Sequence, residues 1–358
     1  MSRRSTMEYF HDDLLDPILV RLPVKSIVRF KSVSKTWCSL FENPRFVSEY
    51  DHPNHVKNTK SSHLLITTRS LTQSVDRLWL FHDQTLVPYH DLTDPSIEEG
   101  RALCVLVHDG LLCLIDYYTD YGITLWNPAT REFRHVPKIS HENINPPATQ
   151  LRRHFTGFGS DSSSSEYKVI QSYSYYDSIE DCRHHFHFVY SVSTNSWREL
   201  KGKHVEAANV RACNFGDIRS NGCLNGVHYW VGYDSILAFH FSTEVYELID
   251  FPTSKGQGMG HLLRLPDEDR VCLWIPISTY DIGDDIGDDI GDVWLLHNDV
   301  FGEYFSIKLL RINLHFPQIG RMLRFWNNKV FDLIRIGGRV LLCNLDAHKY
   351  EDIEIKME

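Results

Sequence analysis

Large apolar residues near the start of the chain recur at helical spacing. Ile27, Phe30, Val33, Trp37 and Leu40 follow one another at intervals of three, three, four and three, which places them on one helical stripe. Leu14, Ile18, Leu19 and Leu22 make a second short run ahead of it. Leu22-Pro23 separates the two, because the residue before a proline is pushed out of the helical region. Ser34 is placed to cap the last helix, predicted to run through Trp37 towards Glu42 and to stop before Asn43-Pro44. Pro17 conflicts with a helix already under way, at a cost of about 3 kcal/mol. The conflict disappears if Asp16 caps the helix and Pro17 takes its first position. Two or three short helices follow from this pattern, and about forty residues of helix bury too little surface to be stable alone. They need a covering partner, either the rest of the chain or another protein.

After Glu49 the helical period fades into short strand-like runs such as "HLLITT", "RLWLFH", "GLLCLIDY", "YKVIQSY", "HFHFVYSV" and "GVHYWVG", separated by turn residues. Aligned on a threonine, "LWNPATREF", "VYSVSTNSW" and "AFHFSTEVY" share one design, an aromatic four residues before and another three after. The pairs are Trp126 and Phe133, Tyr190 and Trp197, and Phe239 and Tyr246. Each reads as a hairpin whose two strands carry facing aromatics. Weaker copies extend the series to anchors at Trp79, Trp126, Tyr190, Phe239, Trp294 and Cys343, at intervals of 47, 64, 49, 55 and 49. A recurrence near fifty residues is the length of a kelch-like blade. The predicted fold is therefore α+β: a small N-terminal three-helix module at 10–50, a linker at 51–60, and an all-β, six-bladed kelch-like propeller over 61–358. A twisted β-sandwich is the rival.

Charge sharpens the division. Between Leu14 and Phe41, Arg21, Lys25, Arg29, Lys31 and Lys35 oppose only Asp16, so a segment of +4 sits in a chain of −10 and the remainder carries −14. An acidic larger region repels phosphate and argues against nucleic-acid binding. No window approaches the roughly 18 apolar residues of a membrane span, and "MSRRSTMEYFHDD" has no apolar region behind its arginines to make a secretory signal. Eight cysteines without a C-x-x-C pair, and no Asn-x-Ser/Thr acceptor, point to buried thiols in a reducing compartment. A cytoplasmic location is expected, with the nucleus open.

Three stretches offer chemistry. "CRHHFHF" contains Cys182, His184, His185 and His187, and strand alternation would put His185 and His187 on one face with room for a metal; without a second ligand pair at zinc spacing, a solvated histidine-rich hairpin is expected and no metal is assigned. "DIGDDIGDDIGDV" matches no calcium loop and reads as a duplicated acidic surface loop, in which Asp284, Asp285, Asp288 and Asp289 are candidates for attracting a basic partner. "GFGSDSSSSEYK" lacks the lysine and the helix of a phosphate loop and reads as a serine-rich turn. No catalytic constellation can be singled out, and no cofactor is expected.

The helical segment "LLDPILVRLPVKSIVRFKSVSKTWCSLFENPRF" resembles an F-box. It keeps R-L-P-V-K-S, the R-F-K-x-V-x-K-x-W core and P-x-F, while Phe10-His11 replaces the usual leading Leu-Pro. The resemblance implies docking on the Skp-type adaptor of a cullin-based ubiquitin ligase through Leu14, Ile18, Leu22, Pro23, Val24, Ile27, Val33, Trp37 and Leu40, some of them internal to the module. The landmarks "GLLCL", "LWNPATREF", "TGFGSDSSSSEYKVI", "VYSVSTNSWREL", "NGVHYWVGYDSILAFHFSTEVYELIDFP" and "DVWLL" resemble, in order, the F-box-associated interaction domain of plants. Within that family the chain looks most like the S-locus F-box and S-locus-like branch, whose pollen members target the pistil ribonuclease in self-incompatibility. The function implied is a non-catalytic substrate receptor that brings a protein, basic if it is such a ribonuclease, to ubiquitination and proteasomal degradation. The alternatives are a propeller enzyme or metalloprotein whose helices merely cap the fold, and an interaction protein that binds its target but no ligase.

Overall fold

The computed structural model describes residues 17–22, 24–43, 45–46, 50, 63–69, 76–82, 88–91, 103–116, 122–128, 130–139, 152–161, 166–211, 220–232, 234–252, 261–264, 271–277, 289–298, 304–314, 323–326, 329–332, 339–344 and 349–354. By packing, the chain divides into two units, one formed by 1–103 with 125–134 and the other by 104–124 with 135–358.

In the first unit, residues 17–19 are helical, followed by α1 (Val24–Lys31) and α2 (Lys35–Phe41). Ser34 caps α2 as the sequence predicts: its backbone is extended, and its Oγ accepts from the Trp37 N–H at 3.1 Å. The predicted single stripe is in fact shared by two helices. α1 stops at Lys31, where the Ser32 hydroxyl donates to the Arg29 carbonyl at 2.7 Å, and Val33 lies in the turn between the helices. Leu19, Val20, Ile27, Phe41 and Phe46 form the small core, with Leu22, Phe30, Trp37, Leu40 and Tyr50 packed on it. Trp37 is clamped edge-on between Phe30 at 5.2 Å and Phe41 at 5.9 Å.

Most of the remaining described elements are strands, in six antiparallel sheets that each follow chain order. The first is β1 (His63–Arg69), β2 (Asp76–His82) and β3 (Pro88–Asp91); the second is β4 (Leu103–His108), β5 (Leu111–Asp116), β6 (Ile123–Asn127) and β7 (Glu132–Val136). The third is β8 (Arg152–Asp161), β9 (Glu166–Asp177), β10 (Cys182–Ser191) and β11 (Ser196–Leu200); the fourth is β12 (Ser220–Leu224), β13 (Val227–Val231), β14 (Ser235–His240) and β15 (Val245–Asp250). The fifth is β16 (His261–Arg264), β17 (Val271–Ile277), β18 (Asp289–Asn298) and β19 (Tyr304–Leu314); the sixth is β20 (Leu323–Trp326), β21 (Lys329–Asp332), β22 (Arg339–Asn344) and β23 (Lys349–Glu354). A short helix α3 (Glu206–Arg211) follows β11.

The anchors read from the sequence fall on equivalent strands. Trp126, Tyr190, Phe239, Trp294 and Cys343 all lie on the third strand of a four-stranded sheet, and Trp79 on the middle strand of the three-stranded one. The hairpin reading holds at atomic detail: Tyr190 pairs directly with Trp197 and Phe239 with Tyr246, with ring centroids 5.4 Å and 4.8 Å apart. In all three copies the residue after the threonine takes a left-handed conformation: Arg131, Asn195 and Glu244, at φ 62°, 52° and 54°. That single residue closes the turn and returns the chain in register.

The fourth sheet separates blades from a sandwich. Leu237 and Phe239 of β14 and Trp230 of β13 join a core with Phe155, Ile170 and Val189 of the third sheet. Ile236 and Ala238, with Tyr229 and Val231, join another with Leu273, Ile275 and Leu296 of the fifth. Alternate residues of one strand point to opposite faces. Both faces of this sheet are therefore covered, whereas an outer sheet of a sandwich keeps one face in water.

Candidate functional site

Two surfaces merit attention, one on the helices and one at the end of a long hairpin. On the helical unit, Ile18 is 57 % exposed and Val33 66 % exposed, with the exposed Arg21, Arg29 and Lys35 among them. Of the other positions implied for docking, Ile27 is buried in the helical core, and Leu22, Trp37 and Leu40 are half-buried against it. Val24 opens α1, while Leu14 and Pro23 lie outside the described residues.

The third and fourth sheets meet in an unusually close contact between β8 and the strands β12 and β13. Gly157 and Gly159, expected in a serine-rich turn, lie instead on β8. A Cβ on Gly157 would stand 2.5 Å from the Trp230 ring, and one on Gly159 would stand 2.5 Å from Cys223 Sγ, so glycine is what lets β13 and β12 approach this strand. Trp230 Nε1 donates to the Thr156 carbonyl and His228 Nδ1 to the Phe158 carbonyl, both at 3.1 Å. Burial drives the His228 imidazole down to about 3 and the neighbouring Cys223 thiol up to about 12. A second clasp joins the same sheets. Lys168 Nζ, on β9, donates to the Phe241 carbonyl at 3.2 Å and to Glu244 Oε1 at 3.0 Å, and Arg198 donates to the other Glu244 oxygen. Burial alone would raise the Glu244 carboxyl, but the hydrogen bonds from Arg198 and Lys168 outweigh it and hold it below its usual range.

The β9–β10 hairpin carries the histidine-rich stretch, and its His185/His187 face is not the solvated one expected. His187 is buried, its ring 5.2 Å from Tyr246 and 6.1 Å from Phe155, and His185 is half-buried, with burial lowering its pKa. Core packing claims that face. The opposite face gathers Glu180, Cys182 and His184, whose ligand atoms all lie within 4.8 Å of one another. Sequence reasoning missed Glu180, which sits in the turn; the two-residue spacing of Cys182 and His184 was the available signal. At the tip Ile179 is 94 % exposed.

The acidic repeat is not wholly a loop. Its last unit enters β18 at Asp289, and Asp292 is buried with a 2.6 Å ion pair to Lys308, so part of the repeat's charge is consumed inside a sheet. Asp284, Asp285 and Asp288 lie outside the described residues.

Comparison with known families decides the classification. The model of the F-box associated beta propeller domain matches residues 71–276, and that of the F-box domain matches residues 10–49. The chain belongs to the F-box-associated β-propeller family. The four-stranded antiparallel sheets of this F-box protein are thus the blades of an all-β, propeller-like domain behind a short N-terminal F-box region. It is similar to two proteins of Arabidopsis thaliana. One is the putative F-box protein At3g16210, 26 % identical over 263 residues, 68 % of this chain and 61 % of the relative. The other is F-box protein CPR1, 26 % identical over 265 residues, 69 % and 61 %. The matches thus span about three fifths of those relatives' length. Among solved structures, a chain of a nidogen/laminin complex aligns with 82 % of this F-box protein and 93 % of itself at 10 % identity and a TM-score of 0.44. No described helix is long and apolar enough to cross a membrane.

Proposed function

We propose that this F-box protein is the target-recognition subunit of an SCF-type ubiquitin ligase. The observation that carries the reading is the succession of an F-box on residues 10–49 and an F-box-associated propeller domain from residue 71 onward. In this reading the helical module, taken as 10–50, binds a Skp-type adaptor and through it a cullin, and the region 61–358 binds a protein. Work is done by positioning: a tethered target meets the ubiquitin carrier at a high effective concentration, with no catalytic group required from this chain. The charge of −14 outside the helical segment favours a basic target, and Asp284, Asp285, Asp288 and Asp289 are candidates for steering it. An S-ribonuclease is such a target if the chain acts in self-incompatibility. The compartment proposed is the cytoplasm, with access to the nucleus.

The test is capture of purified adaptor and cullin by the full chain. Ile18 and Val33 are exposed, so Ile18→Asp with Val33→Asp leaves the fold intact and places charge where the adaptor's apolar surface would sit. Capture is expected to fall at least about tenfold, since about 1.4 kcal/mol suffices for that. Unchanged capture at native circular dichroism would overturn this docking face.

A further inference from the structure

We propose that the β9–β10 hairpin carries a site for Zn²⁺ or a similar borderline transition-metal ion, held by Glu180, Cys182 and His184. Three local features build it. Cys182 and His184 are two residues apart on β10 and so share a face. Asp181 takes a left-handed conformation, φ 52°, which turns Glu180 back over that face. Asp177 Oδ1 accepts from the N–H groups of Ile179 and Glu180 at 2.8 Å and 3.2 Å and fixes the turn. The neighbouring carboxylates are otherwise engaged, Asp177 with these amides and Asp181 with the Tyr176 hydroxyl, so Glu180 is the one turned towards Cys182 and His184.

Two of the three ligand–ligand distances match the ion, and the sulfur–nitrogen edge is short by a few tenths of an ångström. Bonds of about 2.3 Å to sulfur and about 2.0–2.2 Å to nitrogen and oxygen give a tetrahedron with edges of about 3.4–3.6 Å. The three edges found are 3.2 Å from Cys182 Sγ to His184 Nε2, 3.6 Å from Cys182 Sγ to Glu180 Oε2, and 3.5 Å from His184 Nε2 to Glu180 Oε2. The Tyr175 ring stacks on the His184 ring at 4.8 Å and 16°, holding the imidazole plane in place. A thiolate, an imidazole and a carboxylate suit zinc or cobalt, and not the all-oxygen preference of calcium or magnesium. With three protein ligands on a solvent-accessible hairpin, the fourth vertex goes to water. On binding, the metal–sulfur bond replaces the thiol S–H and the proton leaves to the buffer.

Co²⁺ is the probe, titrated into the reduced, chelator-treated full chain. One equivalent is expected to give a thiolate-to-cobalt charge-transfer band and the visible bands of a four-coordinate ion, both removed by Zn²⁺. Cys182→Ser should abolish the charge-transfer band, and Cys38→Ser, in the helical unit, should leave it. His184→Ala should weaken Co²⁺ binding by at least the roughly 10- to 100-fold typical of disturbing a metal's outer shell, and Glu180→Gln by about tenfold. One removes the imidazole and the other the carboxylate charge at the hairpin end, so they test the site even if Cys182→Ser proves unstable. A band that survives in Cys182→Ser, equal affinity in His184→Ala and Glu180→Gln, or equal competition by Mg²⁺ would each overturn the assignment.

Discussion

Acid should weaken this protein through His228. Its imidazole is fully buried, donates to the Phe158 carbonyl and packs 4.6 Å from the Trp230 ring, and burial, with a smaller contribution from His108, lowers its pKa from 6.5 to about 3. The unfolded chain takes up a proton near 6.5 that the folded chain refuses until about pH 3. The unfolded state therefore binds more protons throughout that window, and stability falls as pH falls. Integrated from pH 7 to pH 5, this one group removes about 2 kcal/mol, with a limiting slope of about 1.4 kcal/mol per pH unit. His228→Asn keeps a donor for the Phe158 carbonyl but does not titrate. It should cost about 1–2 kcal/mol at pH 7, for the smaller side chain beside Trp230. Urea unfolding followed by tryptophan fluorescence at pH 7, 6 and 5 measures both proteins. The wild-type advantage should shrink by about 2 kcal/mol over the series. Parallel losses in the two proteins would show that His228 is not held neutral by its burial.

Two further outcomes test the contacts between the third and fourth sheets. Gly157→Ala should lower stability by about 1–3 kcal/mol in thermal unfolding, because the new methyl meets the ring of the fully buried Trp230 at 2.5 Å; a neutral result would mean that the sheets are not in contact there. Lys168→Met should cost about 2 kcal/mol, below the range for a fully buried pair because Arg198 still serves Glu244, while the exposed Arg198→Met costs under about 1 kcal/mol; denaturant midpoints showing the reverse order would locate the clasp on the surface.

Legibility in the sequence followed the range of the interactions. The third-strand anchors were readable because an aromatic, a threonine and a second aromatic make a complete hairpin within eight residues, as in Phe239 to Tyr246. Ser34 was readable for the same reason, since cap and capped amide are three residues apart. Gly157 and Gly159 stand in a stretch that reads as a serine-rich turn, whereas they pair with Ile170 and Lys168 on β9, and the need for glycine comes from Trp230, Phe241 and Cys223, which lie far along the chain. His185 and His187 failed likewise. Alternation correctly gave them a common face, and only the partner core showed that the face was inward. For the helical module, the spacing marked apolar positions, but the break at Lys31 separated the buried Ile27 from the exposed Val33.

The two bonds from β13 to β8 connect residues 70 and 74 positions apart. A ribosome adding about 5–20 residues per second takes about 4–15 s to travel that far. The third sheet can close on itself as soon as β11 emerges, because its strands pair in chain order. Its face with Phe155, Ile170 and Val189 is then covered in part by Val205 and Ala208, and the rest waits for Trp230, about 30 residues or about 2–6 s after Leu200. That waiting time is written into the messenger. Synonymous changes that slow translation between positions 200 and 230 are expected to lengthen that exposure without altering a residue of the finished protein.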